Sequence, residues 1–317
     1  MEYLQLVAGL ALLFLGAELL VNGSVKFARA IGFPPLLIGL TLVAFGTSIP
    51  ELATSIDAAL AGSPGIAVGN VVGSNITNIL LIIGLVALFS PIACAADTVR
   101  RDGSVMFLTA LVCQVALLYG QLTWWIGMLF LAGLAGYVLI AVRYTPAVNQ
   151  TESLHAAPPA ETAIKRHAVP LLIALIGLML VLVGAAWLVD GSILIAHDLG
   201  VNESIIGLTI VAAGTSMPEL VTSLIAAVRR QADIAIGNII GSNIFNVLGI
   251  LGTTALVEPI WVPEQIRNFD GYLMCLVTLA FIAASITGRR ISRGEGAVFV
   301  TLYVAYIALL STHIEGL

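Results

Sequence analysis

The chain has 317 residues, 59% of them hydrophobic and only 10% charged, with a net charge of −5 and a mean hydropathy of +1.06. A soluble domain carries about 25% charge, so this sequence cannot cover a water-facing surface. Its apolar runs match the ~20 residues needed to cross the bilayer as a helix. That identifies a polytopic all-α membrane protein and excludes a β-barrel, which alternates in short segments.

In chain order, ten spans are expected near 4–22, 34–60, 65–89, 103–120, 124–142, 169–189, 202–228, 233–257, 271–287 and 297–313. The first follows Glu2 rather than a basic segment, and no small-residue cleavage site comes after it, so it reads as a span and not a cleavable leader. The connection 143–168 is rich in Pro, Ala, Thr and charge and reads as a linker. It divides the chain into a first five-helix repeat (1–142), a cytoplasmic linker (143–168) and a second repeat (169–317). Cys94, Cys113 and Cys275 are scattered, without a CxxC or Cys/His cluster, and read as small apolar fillers.

The basic residues set an orientation. Lys26/Arg29, Arg100/Arg101, Arg143/Lys165/Arg166, Arg229/Arg230 and Arg289/Arg290/Arg293 occupy every second connection, leaving only Arg267 on the other side. The positive-inside rule makes the richer side cytoplasmic. Both termini then lie outside, as do the tip 61–65 and the segment 190–203. Spread over short connections, these charges form no nucleic-acid patch.

The chain repeats itself. Adding 168 takes Gly39–Gly84 onto Gly207–Gly252 without a gap, and 27 of those 46 positions are identical. Five spans per half is an odd number, so the halves enter the membrane in opposite directions, a pattern found in many secondary transporters.

Within the repeat, "GTSIPELATS" (46–55) and "GTSMPELVTS" (214–223) each set a glycine, a proline and an acid inside an apolar run. Pro50 and Pro218 donate no hydrogen bond and crowd the preceding turn, so helices 2 and 7 are expected to break there. Carbonyls before the break, such as those of Ala44 and Ala212, are expected to turn away from the helix. Thr47, Glu51 and Ser55 recur every fourth residue, as do Asn70, Ser74 and Asn78, so each set forms a stripe on one helix face. The second copy supplies Thr215, Glu219, Ser223 and Asn238, Ser242, Asn246. Glu51 and Ser74 sit about 11 residues either side of the turn at 62–65, hence about 17 Å deep, near the midplane. Polar stripes at that depth are costly against lipid and should face inward.

The donors are carboxylates, hydroxyls, amide oxygens and carbonyls, with no thiolate or imidazole. Such a set suits hard cations such as Ca²⁺ and Na⁺. Two buried carboxylates repel when empty; one Ca²⁺ or a pair of monovalent ions neutralises them, which is the logic of an exchanger.

"GTSIPELATS…GNVVGSNITNILLIIG" and "GTSMPELVTS…GNIIGSNIFNVLGILG" resemble the paired α-repeats of the cation/Ca²⁺ exchanger superfamily, nearest to its prokaryotic inner-membrane Na⁺/Ca²⁺ exchanger-like branch. The resemblance covers the whole chain. It implies an ion site made of the side chains of Thr47, Ser48, Glu51, Ser74, Asn78, Thr215, Ser216, Glu219, Ser242 and Asn246, with backbone oxygens near Ala44 and Ala212. It also implies that spans 1 and 6 slide against the other eight. Some members carry an Asp where this chain has Asn246, so this site holds two carboxylates rather than three.

The expected function is therefore antiport of Ca²⁺ against Na⁺, with the lipid bilayer and inorganic cations as partners, no cofactor, no obligate protein partner and no nucleic acid. Proton-coupled antiport of Ca²⁺ or another divalent ion stays open, since a buried Glu can take up a proton. A passive cation channel is a further alternative. An enzyme finds no support: His155, His167, His197 and His313 fall in connections or at span ends, and none pairs with a nucleophile. Glu18 and Asp57 have no acidic counterpart in the other repeat (Ala186 and Ile225) and read as interhelical or near-surface groups, with Glu18 a candidate for gating. "NQT" (149–151) and "NES" (202–204) match glycosylation sequons, the first in a connection read as cytoplasmic.

Overall fold

The computed structural model describes residues 2–95, 99–144, 160–198 and 212–314. Both sequons, His155, most of the linker 143–168 and the start of the expected span 202–228 lie outside them.

The helices are α1 (Glu2–Ile31), α2 (Pro35–Thr47), α3 (Ile49–Leu60), α4 (Pro64–Phe89), α5 (Val99–Leu118) and α6 (Trp124–Tyr144) from the first half. From the second come α7 (Ala160–Asp198), α8 (Ala212–Thr215), α9 (Met217–Val228), α10 (Ala232–Val257), α11 (Ile266–Thr287) and α12 (Arg293–Ile314). Among the described residues eight helices are long and apolar enough to cross a membrane, or nine if α2 and α3 count as one bent span. This is a multi-pass α-helical membrane protein.

Several elements run beyond their expected ends. α1 continues to Ile31 rather than stopping near residue 22. Asn22 and Gly23 look like a helix end, but Gly23 is a packing position: a Cβ there would lie 2.5 Å from the Ala174 nitrogen on α7. α7 starts at Ala160, so His167 sits inside a helix rather than a connection.

α2 and α3 meet at 42°, with the break at Ser48. Ser48 takes φ −85°, ψ 10°, and Ser216 before α9 takes φ −89°, ψ 3°. Both lie in the sparsely populated bridge region, two residues before a proline. The local chemistry of the two copies produces the same backbone.

Two π-helical turns repeat as well. Asn78–Ile83 in α4 and Asn246–Leu251 in α10 differ by 168 at both ends. Such turns insert one residue into the helical ladder and re-aim the side chains around them.

The chain divides into two compact units: Met1–Pro50 with Ala135–Gly241, and Glu51–Leu134 with Ser242–Leu317. Both draw on each half of the sequence.

In the first unit α1 packs along α7. Leu20, Val21, Val25 and Ala28 meet Ala174 and Leu178, while Leu13 and Ala17 meet Val181 and Ala185. Glycines let the backbones touch: a Cβ on Gly16 would lie 2.6 Å from the Val181 nitrogen, and one on Gly184 2.6 Å from the Leu13 nitrogen. Dispersion and backbone approach hold such interfaces, because lipid is as apolar as the side chains.

The second unit packs α11 on α5 and α12 on the latter half of α4, where Gly84 approaches Gly296. It also holds four short strands that an all-α reading does not anticipate: β1 (Ile92–Ala93), β2 (Gln121–Leu122), β3 (Ile260–Trp261) and β4 (Arg290–Ile291). β1 pairs with β4 (Ile92 opposite Ile291) and β2 with β3 (Leu122 opposite Ile260), both antiparallel. Adding 168 converts β1 into β3, and adding 169 converts β2 into β4. The pairing thus exchanges the two repeats, which is the mark of an internal two-fold.

Candidate functional site

In the first unit, the break in the α2–α3 span and the start of α9 bring together residues far apart in sequence. Ser48 Oγ donates to Glu219 Oε1 at 2.9 Å. Thr47 Oγ1 lies 3.3 Å from Asn238 Oδ1 and the same distance from the Ala44 carbonyl. Asn238 Nδ2 donates to Ser223 Oγ at 3.0 Å and to the Glu219 carbonyl at 3.4 Å, tying α10 to α9. Thr47, Ser48, Ser216, Glu219, Ser223 and Asn238 are all buried, and Thr215 is half-buried. Glu219 is 1% exposed, and its second oxygen, Oε2, has no hydrogen-bond partner. An acid so placed calls for a cation or a proton.

The Ala44 carbonyl differs from the sequence expectation. It accepts the Ser48 N–H at 3.1 Å, so the helical ladder is intact at this point. Pro50 withholds its hydrogen bond from the carbonyl four residues back, that of Gly46. The Thr47 hydroxyl, 3.3 Å away, takes up the second side of the same Ala44 oxygen. Ala212 opens the short helix α8, which ends at Thr215, one residue before Ser216.

The second unit contains the other copy of the clamp. Asn70 Nδ2 donates to Ser55 Oγ at 2.9 Å and to the Glu51 carbonyl at 3.0 Å, the same pair of bonds that Asn238 makes. Glu51 is 1% exposed. Ser74, Asn78, Ser242 and Asn246 are buried, and Asn78 Oδ1, Ser242 Oγ and Asn246 Oδ1 have no hydrogen-bond partner. Asn246 Nδ2 donates to Asn75 Oδ1 at 3.0 Å. Asn78 and Asn246 each open one of the π-helical turns.

Among the described residues no three His, Cys, Asp or Glu side chains cluster. The side chains gathered near Glu219, and those gathered near Glu51, are hydroxyls and amides, oxygen donors of the kind that hard cations take.

The sodium/calcium exchanger protein family matches residues 1–143 and 169–312, nearly the whole chain. The chain belongs to the sodium/calcium exchanger family. It is 36% identical to the inner membrane protein YrbG of Escherichia coli, over 96% of this chain and 95% of that one. It is 34% identical to the sodium/calcium exchanger MaX1 of Methanosarcina acetivorans, over 98% of each. A solved structure of the sodium–calcium exchanger NCX_Mj superposes with a TM-score of 0.86 at 32% identity, over 97% of this chain and 98% of that one.

For an exchanger, the polar residues outside the duplicated motifs also matter. Glu18 on α1 makes a two-pronged ion pair with Arg229, at 2.7 and 2.9 Å, and accepts from Asn22 at 2.7 Å. The pair ties α1 to the turn between α9 and α10. Asp57 is exposed on α3. Cys94 lies outside the spanning helices, where burial pushes its thiol up to about 11 and keeps it protonated at neutral pH.

Asn75 escaped the sequence reading. Its neighbours Ser74 and Asn78 fall on the four-residue polar stripe and it does not. The only available signal was its recurrence as Asn243 in the second copy.

Proposed function

We propose that the chain is a secondary antiporter that exchanges Ca²⁺ for Na⁺ by alternating access. The observation that carries this reading is the Ser48–Glu219 pair, a buried carboxylate with one oxygen held by a hydroxyl and the other without a hydrogen-bond partner. The exchange named for MaX1 and NCX_Mj points the same way.

In this proposal the ions draw on Thr47, Ser48, Glu51, Ser74, Asn78, Thr215, Ser216, Glu219, Ser242 and Asn246, and on the carbonyls of Ala44 and Ala212. Glu51 and Glu219 supply the charge; the hydroxyls and amides replace the hydration shell. The same proposal takes the chain as ten spans with helices 2 and 7 broken. It divides them into repeats at 1–142 and 169–317, joined by the cytoplasmic segment 143–168. It puts both termini outside a prokaryotic inner membrane.

Ca²⁺ uptake into proteoliposomes under an imposed Na⁺ gradient tests it. Na⁺-dependent flux that disappears in Glu219→Gln supports the reading; flux driven by a pH gradient without Na⁺ replaces it with proton coupling.

A further inference from the structure

We propose that Asn75 is a positioning and specificity-determining residue: it turns the Asn246 amide oxygen toward the cation and selects an amide over a carboxylate at position 246. The proposal rests on the ion-binding reading above and adds a residue to it.

A chain of forced hydrogen-bond directions carries it. Asn75 Nδ2 lies 3.2 Å from the Asn243 carbonyl and 3.5 Å from Met274 Sδ. A carbonyl oxygen accepts and never donates, and a thioether sulfur is a weak acceptor. Both neighbours therefore require the NH₂ end of Asn75, and its Oδ1 must point the other way. That oxygen sits 3.0 Å from Asn246 Nδ2. Being an acceptor, it in turn requires the NH₂ end of Asn246. The direction thus passes from a backbone carbonyl, through two amides, to one oxygen.

That oxygen, Asn246 Oδ1, has no hydrogen-bond partner, although Asn246 is 1% exposed. Leaving such an atom unsatisfied is costly in a buried setting. A cation removes the cost, because a cation needs oxygens and repels NH₂ groups. Asn75, itself 3% exposed, contributes no oxygen to the ion in this scheme. It acts through Asn246.

The same geometry bears on acids. An ionised Asp at 246 has no N–H, so one of its oxygens would face Asn75 Oδ1. Asn75 could turn over only by presenting Oδ1 to the Asn243 carbonyl and the Met274 sulfur. Either arrangement sets acceptor against acceptor. Asn75 therefore keeps position 246 neutral and the site at two carboxylates.

The test is a double-mutant cycle of Asn75→Ala and Asn246→Asp. Purified protein in proteoliposomes is assayed for Na⁺-driven Ca²⁺ flux. The melting temperature of the same variants is measured in detergent without Ca²⁺ or Na⁺. Asn75→Ala should raise the KM for Ca²⁺ about three- to tenfold, the loss expected of one hydrogen bond, with the maximal rate little changed. Asn246→Asp should lower the melting temperature, and Asn75→Ala should reverse part of that loss. Should Asn75→Ala fold poorly, Asn75→Ser carries the same comparison. Additive effects without rescue, or an unchanged KM in Asn75→Ala, overturn the proposal. An absence of Na⁺-driven flux in the wild type overturns the antiport reading instead, and the ion-free melting cycle then decides the Asn75–Asn246 coupling by itself.

Discussion

Ser48 donates its hydroxyl to Glu219 at 2.9 Å, across 171 positions of sequence. The bond joins the broken helix of the first repeat to the acid of the second, inside one compact unit. Removing it leaves a buried carboxylate oxygen without its donor. Hydrogen bonds to charged groups contribute about 1.5–3 kcal/mol. Ser48→Ala should therefore raise the KM for Ca²⁺ by at least about tenfold, while Ser48→Thr retains most of the affinity. Initial flux rates over a Ca²⁺ series read this directly; wild-type KM in Ser48→Ala would remove the bond from the site.

The duplicated clamp gives a paired expectation. Asn70 and Asn238 make the same two bonds in different units. Membrane-buried side-chain hydrogen bonds average about 0.6 kcal/mol and reach about 1.7. Alanine at either position should thus cost about 1–3 kcal/mol, and the two losses should be similar. Thermal unfolding in detergent measures both, and a loss confined to one position would break the equivalence of the repeats.

The α1–α7 contact depends on glycine. Gly16→Val would drive side-chain atoms into the α7 backbone, since even a Cβ would lie 2.6 Å from the Val181 nitrogen. Overpacking of that kind costs about 1–3 kcal/mol or more. Gly136→Ala is the control, because a Cβ there meets nothing within 4 Å. The expected outcome is a lowered melting temperature in the first variant and an unchanged one in the second.

Glu18 and Arg229 give a smaller and more directional expectation. Their side chains are 29% and 56% exposed, and exposed ion pairs contribute about 0–1 kcal/mol. Glu18→Gln should barely move the melting temperature. If the pair holds α1 against the α9–α10 turn in one state of the transport cycle, Glu18→Gln should alter the ratio of forward to reverse exchange rates. An unchanged ratio would leave the pair a purely structural tie.

Much of this was legible in the sequence because the repeat is written in residue types with few alternatives. A proline and a glycine deep in an apolar run disturb the helical ladder: α2 and α3 meet at 42° at Ser48, and Ser216 takes nearly the same backbone angles as Ser48. Polar stripes at four-residue spacing should face inward, and Glu51, Ser55, Glu219, Ser223 and Asn238 are buried, while Asn70 and Thr215 are half-buried. The extent of α1 was not legible, because Gly23 is a helix breaker in isolation and a packing position against α7. Nor were the π-helical turns at Asn78 and Asn246, which leave no spacing signal of their own. Asn75 was hidden for a related reason: its partners, Asn243 and Asn246, come from the other end of the chain.

The most direct measurement is isotopic Ca²⁺ flux in proteoliposomes under separately imposed Na⁺, K⁺ and H⁺ gradients, for the wild type, Glu51→Gln and Glu219→Gln. Wild-type flux should follow the Na⁺ gradient alone, and either substitution should abolish it. Ca²⁺ movement that persists without any counter-ion gradient, or that survives loss of either glutamate, would contradict an exchanger built on these two carboxylates.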